Sequence, residues 1–203
     1  MKVFIYCRYP ELGKVKTRLA ADCGEAGALA VYEKLLNKVF ENLQKSNYPF
    51  EVHYTGGEKL AVEYWLQEMN YKAQIDGDLG EKLSYSVSEW FKSNESSLVI
   101  IGSDQPNIDE TVLKETEEKL KSHDVVIGPA KDGGYYLIAM NKAYLGLFED
   151  ISWSTEKVLS QTLTKVLEEG LSYYLLAEKV DVDNFEDVPQ EWKRELMLHE
   201  NTN

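Results

Sequence analysis

The run Leu98-Val99-Ile100-Ile101 constrains the fold of this chain more than any other feature. It is wholly apolar and bounded by Ser97 and Gly102. A strand with no polar alternation is covered on both faces, as in the centre of a parallel sheet. Strand and helix signals alternate on either side of it. Val3–Cys7, Phe50–Thr55, Lys72–Ile75, Val125–Ile127, Tyr135–Met140 and Leu171–Ala177 read as strands. Glu25–Gln44, Glu58–Met69, Leu79–Lys92, Asp109–Lys121, Ser154–Glu169 and Phe185–Leu198 read as helices. Asn107 and Glu110 have capping-box spacing, and Gly170 stops the helix before it. The order predicts a three-layer α/β/α arrangement around a mostly parallel mixed sheet, Rossmann-like in class. With 203 residues and no linker or repeat, residues 1–203 are expected to form a single domain, frayed after about residue 198.

The formal net charge is −13, which argues against a nucleic-acid partner. The two cysteines, Cys7 and Cys23, fit neither a disulfide framework nor a metal spacing, as in a reducing compartment. No run approaches the roughly 20 apolar residues of a membrane span, so a cytoplasmic protein is expected. His53, His123 and His199 share no ligand spacing, and no plausible Ser–His–Asp set is visible. Trp65, Trp90 and Trp192 read as packing residues.

Against that acidic background, Arg8, Lys14, Lys16 and Arg18 gather around Gly13, just after the first strand. The segment is neither a GxxxxGK[ST] loop nor a GxGxxG fingerprint. It has the parts of an anion cradle: Pro10 and Gly13 shape a turn, and Val15–Ala21 is expected to open a helix toward a phosphate. Arg binds phosphate oxygens in bidentate fashion and Lys acts as a point charge. Cations at a helix start are disfavoured by the dipole, which points to a ligand.

Asp104 follows Gly102 at the mouth of the central strand, where open sheets bind ligands. A carboxylate facing phosphates calls for a divalent cation between them, and Mg²⁺ is held by one or two carboxylates plus phosphate oxygens. Asp183, in "DVDNFED", is the candidate second carboxylate, with Asn184 capping the final helix. Asp132-Gly133-Gly134 reads either as a hairpin turn or as backbone approaching a sugar or base. Trp153, in "ISWST", is placed to stack on a ligand.

"YPELGKVKTRLA", "DGDLGEKL", "VIIGSDQPNI", "GPAKDGGYYLIAM", "ISWSTEKVLSQT" and "DVDNFED" occur together and in this order. This series resembles the bacterial glycosyltransferase-A-fold family associated with radical-SAM/selenodomain systems and arsenosugar biosynthesis. The first loop is more distantly similar to that of 2-phospholactate and molybdenum-cofactor guanylyltransferases. The resemblance implies a nucleotide-diphospho-sugar transferase fold and a nucleotide bound with Mg²⁺ or Mn²⁺. It places Arg8, Gly13, Lys14, Lys16, Arg18, Asp78 and Gly80 at the nucleotide and phosphates, and Gly133, Gly134, Trp153 and Ser154 at the substrate. Asp104 and Asp183 become the metal ligands, and Asp104, Asp132 and Lys16 the residues of catalysis. Asn184-Phe185 stand where relatives often carry Thr-Pro, and Arg8 where they often carry Lys. The implied reaction is glycosyl transfer from a nucleotide sugar to a small-molecule acceptor. The alternatives are nucleotidyl transfer from a nucleoside triphosphate to a phosphorylated small molecule, and nucleotide binding without catalysis.

Overall fold

The computed structural model describes residues 1–200. Its strands are β1 (Lys2–Arg8), β2 (Phe50–Thr55), β3 (Tyr71–Ala73), β4 (Leu98–Gly102), β5 (Val125–Pro129), β6 (Tyr135–Met140) and β7 (Tyr173–Leu175). They join one seven-stranded sheet in the order β3-β2-β1-β4-β6-β5-β7. β6 runs antiparallel to both neighbours, and the other pairings are parallel. Leu98–Ile101 lies near the middle with both of its faces buried, as its unbroken apolar run requires.

The helices are α1 (Ala20–Lys45), α2 (Lys59–Trp65), α3 (Leu79–Phe91), α4 (Glu110–Leu120), α5 (Val158–Glu168) and α6 (Gln190–Glu200). Period-two alternation along β1 sorts its side chains. Val3, Ile5 and Cys7 pack with Leu36 and Phe40 of α1, Val62 of α2 and Leu113 of α4. Phe4 faces the other way, toward Leu83 and Val87 of α3 and Val166 of α5. Helices thus cover both faces of the sheet. Each fully buried aliphatic side chain in these layers contributes about 1.5–3 kcal/mol. No described helix is long and apolar enough to cross a membrane.

Several expected boundaries move. The helix expected to open over Val15–Ala21 starts only at Ala20, after a turn through residues 15–19, and Cys23 and Gly24 interrupt it. Gly24 takes a left-handed φ of 69°, so the regular part of α1 begins beyond it. α4 is capped by Asp109, whose carboxylate accepts from Thr111 and Val112 N–H, rather than by an Asn107–Glu110 box. α5 begins at Val158 rather than Ser154, which has a left-handed φ of 63°. The final helix is preceded by a separate 3-10 turn, Phe185–Asp187, because Pro189 has no N–H to continue a helix through it. The part of the expected frayed tail beyond residue 200 lies outside the described residues.

Since β6 is reversed, the start of β6 lies at the same sheet edge as the ends of β1 and β4. Tyr6 pairs with Gly102, and Ile101 with Leu137. The first loop, the β4 exit and the β5–β6 hairpin meet at that edge.

Candidate active site

A cleft of about 920 Å³ opens at this edge. Arg8 at the end of β1 and Lys14, Lys16 and Arg18 of the first loop line it. Asp104, Asp132, Asp181, Asp183 and Glu156 are among its other lining residues. The protein as a whole is acidic, yet its basic loop and its carboxylates share this one space.

The strand ends are latched before the side chains meet. The Tyr32 hydroxyl of α1 accepts from Arg8 N–H at 2.8 Å and donates to the Arg8 carbonyl at 3.1 Å. It also lies 3.4 Å from Ser103 Oγ, tying the exit of β1 to that of β4. Burial holds the Tyr32 hydroxyl well above the ordinary tyrosine pKa, so it serves as a neutral hydrogen-bonding group. Val182 N–H donates to the Asp104 carbonyl at 3.0 Å, and Gln105 Nε2 to the Val180 carbonyl at 2.8 Å. These bonds seat the 181–183 segment against the β4 exit.

Lys16 joins the loop to the carboxylates. Its ammonium lies 2.8 Å from Asp104 Oδ1 and 3.0 Å from Asp183 Oδ1, with its side chain only 6 % exposed. Burial works against that charge, but Asp104 and Asp183 outweigh it and hold the Lys16 pKa above the usual lysine value. The Lys16 backbone has a φ of 46°, in the left-handed region that costs a non-glycine residue about 1–3 kcal/mol. Arg18 is different: its side chain is 74 % exposed and stands 3.9 Å from Asp183.

Asp181 is the most perturbed carboxyl here. Burial first, and then the charges of Asp104, Asp132 and Asp183, push its pKa up to about 7. Its Oδ1 is buried without a hydrogen-bond partner. Carboxylate oxygens crowded together, one of them unpartnered, form a hard donor set of the kind that suits Mg²⁺ or Mn²⁺. Asp104 and Asp183 supply the one or two carboxylates by which Mg²⁺ is ordinarily held, with the Lys16 ammonium between them. Among the described residues no group of three or more His, Cys, Asp or Glu side chains is gathered to hold a metal ion, so any cation here rests on two carboxylates and on oxygens of its ligand.

The third wall comes from the β5–β6 hairpin and the loop before α5. Asp132 Oδ1 accepts from Gly134 N–H at 2.9 Å, closing the turn. Gly133 has a φ of 89°, and its carbonyl accepts from Leu159 N–H at 2.8 Å. A Cβ at Gly133 would lie 2.2 Å from the Glu156 carbonyl oxygen, so the hairpin reaches the loop only through glycine. Asp132, Gly134, Trp153 and Ser154 line the cleft. The hairpin reading of Asp132–Gly134 is thus the observed structure, and Asp132 and Gly134 of that hairpin line the cleft.

Other expected residues stand outside the lining. Asp78 is the N-cap of α3, its carboxylate accepting from Glu81 N–H at 2.9 Å in a capping box. Gly80 is buried, with the Phe148 carbonyl and Trp153 Nε1 each 2.7 Å from where its Cβ would be. Gly13 turns the first loop at a φ of 72°, against the Glu25 carboxylate. Gly133 shapes the hairpin from behind.

Sequence reading placed Asp181 in the acidic Asp181–Asp187 cluster without giving it a role, and missed Glu156, Tyr6 and Lys82; all four line the cleft. Asp181 was legible in "DVD": Val182 is buried between two acids that share the opposite side of an extended segment. A Ser–His–acid array also exists. Glu51 Oε1 lies 2.9 Å from His53 Nε2, and His53 Nδ1 lies 3.2 Å from Ser86 Oγ. Ser86 is buried and bonded to the Tyr6 hydroxyl at 2.7 Å, so this array braces the cleft floor from within.

The family model described as "Uncharacterized protein conserved in bacteria (DUF2064)" matches residues 36–155, more than half of the chain. No curated protein matches. A solved protein of Desulfovibrio desulfuricans G20, provisionally described as a nucleotide-diphospho-sugar transferase, is 25 % identical with a TM-score of 0.85. That match covers 99 % of this chain and 95 % of the other. The inositol-1-phosphate CTP transferase of T. maritima is 13 % identical, with a TM-score of 0.59 over 97 % of this chain and 94 % of its own. Rv0371C of Mycobacterium tuberculosis H37Rv, solved with manganese, is 14 % identical, with a TM-score of 0.56 over 97 % and 98 %. The last two establish a shared fold. The α/β architecture is that of the nucleotide-diphospho-sugar transferases.

Proposed function

We propose that this chain, which belongs to the DUF2064 family of bacterial proteins, is a metal-dependent transferase that moves a glycosyl group from a nucleotide sugar to a small-molecule hydroxyl. The observation that carries this reading is the make-up of the cleft lining. Lys14 and Arg18 offer positive charge from the first loop, while the lining residues between 132 and 158 include Asp132 and Glu156 and no lysine or arginine.

The acceptor oxygen attacks the anomeric carbon as the bond to the nucleoside diphosphate breaks. Lys14 and Arg18, with Arg8, neutralise the charge that gathers on the departing diphosphate. Asp104 and Asp183 would hold Mg²⁺ or Mn²⁺, which when bound supplies Lewis-acid stabilisation of that leaving group. Asp132 accepts the acceptor hydroxyl's proton, in keeping with its exposed carboxylate beside the hairpin turn. Trp153 and Ser154 orient the sugar or the acceptor, and the remote contacts convert a bimolecular encounter into a positioned reaction. The motif resemblance to arsenosugar-type glycosyltransferases and the D. desulfuricans likeness support the same choice. A phosphorylated second substrate would meet like charge at Asp132 and Glu156.

Nucleotidyl transfer is the second reading. It is favoured by the concentration of Lys14, Lys16 and Arg18 on one short loop, which suits a triphosphate with a pyrophosphate leaving group. A thermal-shift panel of nucleoside triphosphates and nucleotide sugars, each with and without Mg²⁺ or Mn²⁺, tests the choice. Metal-dependent stabilisation by a nucleotide sugar above any triphosphate supports glycosyl transfer. Preference for a bare triphosphate transfers the assignment to the second reading.

A further inference from the structure

The Lys16 ammonium sits where the proposed metal ligands converge. It contacts Asp104 at 2.8 Å and Asp183 at 3.0 Å, and it is removed from solvent. The loop gives it a left-handed φ of 46°, a conformation that carries strain unless the side-chain contacts hold it. Its neighbours on the loop behave otherwise: Arg18 extends into solvent, and no ion pair of Lys14 occurs among the described residues. One lysine of a phosphate-facing loop is thus turned away from phosphate and inward onto carboxylates.

We infer that Lys16 is an exchangeable counter-ion, which holds Asp104 and Asp183 together until a divalent cation displaces it and frees its ammonium for nucleotide phosphate. The inference rests on the metal reading of the proposed function. An ammonium and a divalent cation cannot share the same two oxygens, because their repulsion at such range is strong away from bulk water. Without either of them, Asp104, Asp181 and Asp183 would repel one another in a partly buried space. Lysine suits exchange because its charge is compact and its four-carbon stem flexible, whereas an arginine fork would bind the carboxylates in fixed geometry. Release also relaxes the reason for the strained backbone. Metal and nucleotide then bind with positive coupling, and the coupling is reciprocal by linkage.

The test measures Mn²⁺ binding to the full chain by electron paramagnetic resonance, without nucleotide. It compares wild type, Lys16→Met, Asp104→Asn and the double variant. Lys16→Met is expected to bind Mn²⁺ about 5- to 150-fold more tightly than wild type, the usual range of coupling between linked sites. Asp104-dependent binding that is equal or weaker in Lys16→Met overturns the inference and leaves the metal reading standing. Absence of Asp104-dependent binding in wild type and Lys16→Met overturns both. A second measurement needs no variant at Lys16: amine labelling of the wild type, read by mass spectrometry across a Mg²⁺ titration. Lys16 labelling is expected to rise as Mg²⁺ saturates the protein, and continued protection at saturation overturns the exchange.

Discussion

Val182 donates its backbone N–H to the carbonyl of Asp104 at 3.0 Å, and this bond brings together two acidic segments far apart in the chain. It splices the end of the central strand to the segment that carries Asp181 and Asp183. Beside it, buried Gln105 donates to the Val180 carbonyl and accepts from Asn107 N–H at 3.0 Å. The geometry of the carboxylates is a consequence of this splice.

Gln105→Leu should therefore cost about 2 kcal/mol in stability, about 1 kcal/mol for each of the two hydrogen bonds it removes. It should also weaken Mn²⁺ binding, since the 181–183 segment loses one of its anchors. Urea denaturation and a Mn²⁺ titration check the two effects. An intact Mn²⁺ affinity in a destabilised variant would separate the splice from the site.

Gly133→Ala should lose more than about 1 kcal/mol, because the position requires a positive φ and the new Cβ would meet the Glu156 carbonyl oxygen at 2.2 Å. Gly134→Ala, with no left-handed φ and only the Asp132 carboxylate nearby, should cost less. Urea midpoints of the two variants give the order, and equal losses would contradict the close approach.

Asp78→Ala should lose about 1 kcal/mol through removal of the α3 cap, and Asp78→Asn should retain most of that stability because the amide oxygen still accepts. Thermal unfolding in the absence of nucleotide reads the difference. A loss of equal size in Asp78→Asn would show that the charge matters more than the cap.

The layers were legible because their signals are local: the apolar run of β4, the helical stripe of α1 and the alternation along β1 each report which face is buried. Asp104 was legible for a related reason, as the polar residue just past a buried strand. The loop ends were not. A helix over Val15–Ala21 fits the composition, but the turn of Lys16 inward toward Asp104 and Asp183 is a tertiary contact that no spacing records. Asp78 shows the converse, where a motif match pointed to phosphate and the side chain is committed to Glu81. Asp181 was visible as one acid of the Asp181–Asp187 cluster, but its role was not, because its peculiarity lies in burial and in the company of other acids, both of which need the fold.

Asp181 predicts a pH dependence. Its folded pKa, pushed up to about 7, lies above the ordinary unfolded carboxyl value of about 3.9. Between those two values the native state holds the proton and the unfolded state releases it, so this group makes stability fall as pH rises from about 4 to about 7. Asp181→Asn should flatten that slope, with its advantage over wild type larger at pH 8 than at pH 4. Urea denaturation with a chelator present measures it. A pH-independent difference would place the Asp181 carboxyl in an ordinary ionised state.

The most direct test of the metal-assisted transferase reading is calorimetric titration of the nucleotide sugar preferred in the thermal panel into wild type and Asp104→Asn, with and without Mg²⁺. Binding to wild type should strengthen on adding Mg²⁺, and Asp104→Asn should lose that gain while unfolding at a midpoint near that of wild type. An Mg²⁺-dependent gain of the same size in Asp104→Asn would contradict the account.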